Sequence, residues 1–275
     1  MRQRESFFRF HPNLKGFTRE WVPDLIVQAY CRLCSEMIRF PKEPFEKTIE
    51  GVSARFWVRT EDDWRRIAHP EFEPEFSQAL INHLKEKQGV FLNLGAAQGI
   101  YTLAAAAAGC EVVAVEPDPR LVQALKENMA LNPDIEPRIQ VLEMGVADQC
   151  GLSYLHCDPQ RRYAASYWPT NPSLTKTIPT QMVTVDHLVF EQGVPGPATI
   201  VMDIEGWEDK ALKGMERVLT EIGPDLFIEV HSGILGNFGV SEQDLVARIR
   251  GFGYHAESGS PWPRGGEIMY HFSTK

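Results

Sequence analysis

One stretch, residues 89–117, constrains this chain more than any other. It reads Gly-Val-Phe-Leu-Asn-Leu-Gly-Ala-Ala-Gln-Gly-Ile-Tyr-Thr, then an alanine-rich run, then Cys-Glu-Val-Val-Ala-Val-Glu-Pro. Residues 90–94 are a short apolar run of the kind that fills a buried parallel strand. Gly95 and Gly99 bracket a tight turn where the backbone is open to close approach by a ligand. Residues 100–108 are strong helix formers halted by Gly109, and residues 112–115 are a second apolar run ending on Glu116. Strand, glycine turn, helix and strand with a terminal carboxylate make a βαβ nucleotide site. The helix N-terminus faces the ligand, and the carboxylate can accept hydrogen bonds from two ribose hydroxyls.

The glycine spacing selects among nucleotides. A dinucleotide fingerprint is Gly-x-Gly-x-x-Gly, in which the extra glycine admits a pyrophosphate. Here Gly95 and Gly99 are separated by three residues, position 97 is alanine, and no Gly-Lys-Ser/Thr follows. A ligand with ribose and adenine but no phosphate fits better, and S-adenosylmethionine is the common one. The plainer alternative is an α/β packing turn whose glycines only relieve crowding.

Around this unit the chain alternates as an α/β domain. Residues 75–87 and 120–131 carry helical apolar stripes, and residues 139–142, 199–202 and 226–230 read as further strands. A helix is expected over 207–219, and another from a Ser241 cap through residue 249. Residues 253–257 and 268–272 are expected to close the chain as an antiparallel pair at one sheet edge. Residues 152–156 and 181–185 alternate like added strands, separated by a long loop. Arg161, Arg162, Tyr163, Tyr167 and Trp168 make that loop a candidate lid or polar-substrate wall.

Residues 1–88 hold no strand-turn-helix unit and read as a helical N-terminal extension, with a helix over 24–39. Cys31 and Cys34 fall in that helix as buried thiols, with no further zinc ligands at matching spacing. Residues 56–67, aromatic and basic, are expected to pack on the main domain, and a wall of the substrate pocket is the alternative. The expected division is 1–88 and 89–275, with an insertion at 152–185.

Net charge of −9 excludes a broad nucleic-acid footprint. No run is long and apolar enough to span a membrane, and the N-terminus lacks the apolar core of a signal peptide. Five scattered cysteines, an odd set, point to a reducing compartment, the cytoplasm.

Six blocks in order carry a resemblance: Asn-Leu-Gly-Ala-Ala-Gln-Gly-Ile-Tyr-Thr (93–102), Glu-Pro-Asp-Pro (116–119), Ala-Asp-Gln-Cys-Gly (147–151), Thr-Val-Asp-His-Leu (184–188), Met-Asp-Ile-Glu-Gly-Trp-Glu (202–208) and Glu-Val-His (229–231). Together they resemble the FkbM family of S-adenosylmethionine-dependent methyltransferases. The resemblance implies a class I methyltransferase fold, a Rossmann-like, mostly parallel seven-stranded sheet with a reversed final strand. It also implies O-methylation of a hydroxyl on a small metabolite, sugar or glycan. The chain departs from the family at Asn93, where aspartate is usual, and at Met202, where lysine is common.

The expected cofactor contacts are Asn93, Gly95, Ala96, Gln98, Gly99, Tyr101, Glu116, Pro117 and Asp148. Ligands in open α/β sheets bind beyond the carboxyl ends of the strands. Asp203 is expected there beside the transferred methyl group. His231 is the expected general base, with Glu205 or Glu229 orienting it. The plainer readings are a structural histidine and carboxylates that cap the following helix. No metal is expected. The alternative is a magnesium site built from Asp203, Glu205, Glu229 and His231. Two rival functions stay open, a nicotinamide-dependent oxidoreductase on a Rossmann sheet and a binding protein that retains the adenosyl site without turnover. Self-association is compatible with either.

Overall fold

Alternation in the sequence becomes layers in space. The structure, a computed structural model, describes residues 43–68, 73–158, 165–167, 176–257, 260–264 and 267–274. The helix expected over 24–39, with Cys31 and Cys34, and the lid residues Arg161, Arg162, Tyr163 and Trp168 lie outside the described residues.

The described part of the N-terminal extension is not wholly helical. It begins with an antiparallel hairpin, β1 (Phe45–Ile49) and β2 (Val52–Phe56). Glu50 and Gly51 turn it, at φ of 50° and 77°, the paired positive values of a tight hairpin turn. Ala54 and Phe56 face inward and are buried. Two asparagines four residues apart stitch β2 to the domain. Asn132 accepts from Arg55 N–H at 2.9 Å and donates to Arg55 O at 2.8 Å, and Asn128 accepts from Trp57 N–H at 2.9 Å. Helix α1 (Pro74–Glu86) follows and buries Phe76, Leu80, Ile81 and Leu84 against the sheet.

Then comes the alternating unit: β3 (Val90–Leu94), α2 (Ile100–Ala107), β4 (Glu111–Val115), α3 (Pro119–Met129) and β5 (Ile139–Leu142). The insertion forms a separate four-stranded sheet from β6 (Gly145–Val146), β7 (Gly151–Cys157), β8 (Ala165–Ser166) and β9 (Lys176–Val183), in the order β6-β9-β7-β8. Helix α4 (Val185–Phe190) returns the chain to β10 (Thr199–Met202), α5 (Glu208–Lys213), β11 (Asp225–Val230), α6 (Glu242–Gly251), β12 (His255–Ala256), β13 (Trp262–Arg264) and β14 (Glu267–Ser273).

The main sheet runs β12-β14-β11-β10-β3-β4-β5, with β13 paired on β14. Strands β11, β10, β3, β4 and β5 are mutually parallel, and β14 is antiparallel to β11. The reversed strand inserts between β12 and β11, so the expected edge pair places β12, not β14, outermost. This is the class I methyltransferase arrangement. Phe91, Leu92, Leu94, Ile200, Leu226, Phe227 and Ile228 are fully enclosed in its middle, each contributing about 1.5–3 kcal/mol of burial energy. Strand order reverses between β3 and β10, where such sheets open a crevice.

The expected helix over 207–219 is interrupted. It stops after Lys213, and a second helical turn runs Val218–Ile222. At Gly214 a side chain would meet Ala147 O at 2.0 Å, so the backbone packs on the start of the insertion here. Asp186 takes up the freed donors, accepting from Arg217 N–H at 3.1 Å and Val218 N–H at 2.9 Å.

At the opposite end of the strands from their carboxyl edge, α1 is tied to the sheet by polar groups. His83 stands 3.2 Å from Asp225, Lys87 is 2.7 Å from the same carboxylate, and His271 stacks on Phe227 at 4.0 Å. Burial pushes both imidazoles down, His271 to about 4. Among the described residues no helix is long and apolar enough to cross a membrane.

Candidate active site

The strand β3 ends where a side chain cannot fit. At Gly95, φ +85°, a Cβ would lie 1.8 Å from the backbone oxygen of Asp203, so glycine lets the exits of β3 and β10 touch. Asp203 N–H donates to Leu94 O at 3.0 Å, and Gly95 and Ala96 N–H both donate to Val115 O. Ala97 then adopts φ +48°, an uncommon conformation for a residue with a side chain. That turn aims its N–H at Glu116 Oε2, 2.8 Å away, while Glu116 Oε1 accepts from Asp118 N–H at 2.9 Å. The carboxylate therefore faces the glycine bend. It is 4% exposed, and burial pushes its carboxyl up to about 7 against the pull of the two N–H bonds.

Between bend and sheet ends lies a cleft of about 660 Å³, a volume that includes the open solvent at its mouth. Gly95, Ala97, Glu116 and Pro117 form one wall, and Asp203 and Glu205 form another. The inserted sheet closes the cavity with Gly145, Val146, Leu155 and Tyr167. Tyr167 and Trp207 have ring centroids 4.8 Å apart, and Arg66 reaches the rim from the N-terminal extension.

The three expected catalytic residues converge. Glu205 is held at φ +53°, with Gly206 at +92° behind it, and this tight turn brings its carboxylate back beside Asp203. His231 Nε2 lies 3.6 Å from Asp203 Oδ1 and 3.7 Å from Glu205 Oε2. Its Nδ1 meets Glu208 Oε1 at 2.8 Å, and that oxygen also accepts from Gly206 N–H at 3.0 Å. Glu208, wholly buried at the start of α5, is thus the hydrogen-bonded partner that the sequence had assigned to Glu205 or Glu229.

Burial opposes charge on His231, but the Glu208 hydrogen bond and the three carboxylates around it outweigh burial and hold it well above an ordinary histidine, as an imidazolium. Burial raises Glu205 to about 7, with the His231 charge pulling the other way. Its side chain keeps 36% of its surface open, so water entering the mouth relieves part of that shift. One ligand atom each from Asp203, Glu205 and His231 lies within 4.8 Å of the others, a spacing a divalent cation could use. An ion there would have to displace the proton that the surrounding carboxylates hold on His231.

Other expected contacts lie elsewhere. Asn93 Nδ2 donates to Thr102 Oγ1 at 2.9 Å, locking β3 to α2. Tyr101 donates to Glu73 and lies 3.3 Å from Ser77, toward the N-terminal helix. Gln98 is buried beside Trp57, Arg59 and Asn128. Ala96 is in the core, Gly99 caps α2, and Met202 is fully buried. Asp148 pairs with Lys210 at 3.5 Å and is not on the cavity wall. Helical and strand alternation sends these side chains away from the bend that their backbones form. Ala97 and Glu208 were not anticipated. Ala97 acts through its backbone, which leaves no mark on residue type, whereas Glu208 stands one helical turn beyond Asp203-x-Glu-Gly and could have been noticed.

A family model and several known proteins are similar to this chain. The profile "Methyltransferase FkbM domain" matches residues 93–256. The hexuronic acid methyltransferase AglP of Haloferax volcanii is 25% identical over 193 residues, covering 70% of this chain and 77% of that protein. The crystal structure of methyltransferase FkbM from Methylobacillus flagellatus superposes with a TM-score of 0.47 at 21% identity, covering 68% of this chain. This chain spans only 44% of that one. A SAM-dependent methyltransferase from Agrobacterium tumefaciens gives a TM-score of 0.48 at 16% identity, covering 86% of this chain and 73% of its own.

The cavity suits S-adenosylmethionine on its own terms. The approach of β3 to β10 leaves room only for backbone at Gly95, a buried carboxylate faces the bend, and no Gly-Lys-Ser/Thr phosphate loop follows in the sequence. S-adenosylmethionine is the cofactor, and the chain belongs to the FkbM methyltransferase family.

Proposed function

We propose that the protein O-methylates a hydroxyl of a sugar, glycan or related small metabolite, with Glu205 taking the hydroxyl proton. The observation that carries this reading is the placement of Asp203 and Glu205 on the same cavity as Glu116, backed by a buried cationic His231. Glu116 and the 95–97 backbone would hold the cofactor, the carboxylate accepting from its ribose hydroxyls. When bound, the cofactor supplies a methyl carbon activated by a sulfonium.

What remains for the chain is to position an oxygen and receive its proton. Asp203 orients the acceptor hydroxyl by accepting a hydrogen bond. The proton released by the acceptor hydroxyl on methylation would pass to Glu205, whose elevated carboxyl is matched to neutral pH, while the sulfonium would leave as the neutral thioether. His231, the base expected from sequence, is held toward its charged form by the carboxylates around it, and in this reading the proton goes to Glu205 instead. Its role in this reading is to fix both carboxylates from behind and offset their charge, with Glu208 setting the ring. The Tyr167–Trp207 pair, its rings tilted 39° to one another, offers aromatic surface to a sugar ring. A relative named for hexuronic acid points to the same acceptor class.

The test is labelled-methyl transfer from S-adenosylmethionine to a panel of neutral sugars and uronic acids, run with and without chelator, alongside calorimetry with S-adenosylhomocysteine and NAD. Transfer to a sugar hydroxyl in the presence of chelator is expected. NAD binding without product binding would favour the oxidoreductase. Tight product binding with no transfer to any acceptor would favour a binding protein.

A further inference from the structure

Far from the cofactor cavity, at the amino ends of the strands, three metal-ligand types meet. His83 projects from α1, Asp225 opens β11, and His271 lies on β14 opposite Phe227. Each offers a ligand atom within 4.8 Å of the others. His83 Nε2 is 3.2 Å from Asp225 Oδ2 and 3.1 Å from Thr199 Oγ1. His271 Nε2 is buried and has no hydrogen-bond partner among the described residues, an arrangement that costs about 1–3 kcal/mol if nothing satisfies it. Stacking on Phe227 at 4.0 Å fixes the His271 ring, and contact with Phe227 at 5.3 Å orients His83.

We propose that His83, Asp225 and His271 form a divalent transition-metal site of the zinc class that clamps α1 to the sheet. Two imidazoles and one carboxylate suit zinc, with water completing the shell. Nothing in the methyl-transfer reading requires this site, and it stands apart from the cavity residues. The group that competes with the ion is Lys87, whose ammonium pairs with Asp225 Oδ2 at 2.7 Å. Its side chain is 47% exposed and can swing into solvent as the ion arrives. His83, 15% exposed, leaves an entry path at the rim. Glu257 adds further negative charge near both histidines.

The test uses the full chain, stripped with chelator and dialysed, then titrated with zinc by calorimetry and with cobalt by visible absorption. One equivalent should bind and raise the melting temperature. His83→Gln and His271→Gln should each weaken zinc by about 100-fold or more, while both retain wild-type affinity for S-adenosylhomocysteine at the other end of the sheet. Should His271→Gln not fold, His83→Gln decides alone. Lys87→Met should tighten zinc several-fold by removing the competing cation, an effect no merely structural ion pair produces. Absence of zinc binding to the wild type, or zinc binding that neither glutamine variant alters, overturns the proposal.

Discussion

Replacing Glu116 with glutamine tests the cofactor site at its most exposed physical assumption. The wild-type carboxylate accepts from two backbone N–H groups, of Ala97 and Asp118, and faces the cavity. A glutamine has one oxygen and would turn its amide toward one of those donors. Hydrogen bonds to a charged acceptor are worth about 1.5–3 kcal/mol each, so Glu116→Gln should weaken S-adenosylhomocysteine by about 100-fold, near 2.7 kcal/mol. The wild type should also show a pH signature. Its carboxyl is raised to about 7 in the folded chain, and only the ionised form accepts from both ribose hydroxyls. Affinity should therefore fall about tenfold from about pH 8 to about pH 6, and stay flat in Glu116→Gln.

Stability moves the other way. A carboxyl raised on folding contributes most below its unfolded value and loses that contribution as pH rises through about 7. The ligand-free protein thus carries a cost of about 3 kcal/mol from this group at alkaline pH, which the variant lacks. Calorimetry across pH is the assay, with a 2′,3′-dideoxy product analogue as control. The analogue should bind the wild type about as weakly as the full product binds the variant. A variant that binds product within about threefold of wild type, or a pH-independent wild type, refutes the assignment.

Three further outcomes are expected. Glu205→Gln should lower kcat by about 100-fold and abolish the rise of kcat with pH through neutrality, while leaving product affinity intact, as stopped-assay pH profiles would show. Glu208→Gln should release His231, lowering kcat by about 10–100-fold with KM for the cofactor little changed, as steady-state kinetics would record. Gly95→Ala places a methyl against the Asp203 carbonyl at a left-handed φ, and should cost about 2–4 kcal/mol in denaturant unfolding together with cofactor binding.

The sheet was legible because buried parallel strands are apolar runs. Val90–Leu94, Ile139–Leu142 and Thr199–Met202 are bounded as the sequence predicts. The β1–β2 hairpin was not read, although Glu50-Gly51 between alternating residues is a turn signal, because the surrounding charge and aromatic content obscured the period. The break after Lys213 is a tertiary effect: Gly214 is small because Ala147 lies against it, and no local pattern reports a neighbour far along the chain. At the site, strand ends named Glu116, Asp203 and His231 because side chains there must project beyond the sheet. They could not reveal which ring nitrogen of His231 is bound, since that depends on how the turn at Glu205 and Gly206 folds.

Asn128 touches two things at once. Its oxygen accepts from Trp57 N–H at the end of the hairpin, and its amide donates to Gln98 O inside the glycine bend, both at 2.9 Å. The hairpin and the glycine bend are thereby joined through a single planar group, so a displacement of one is carried directly to the other.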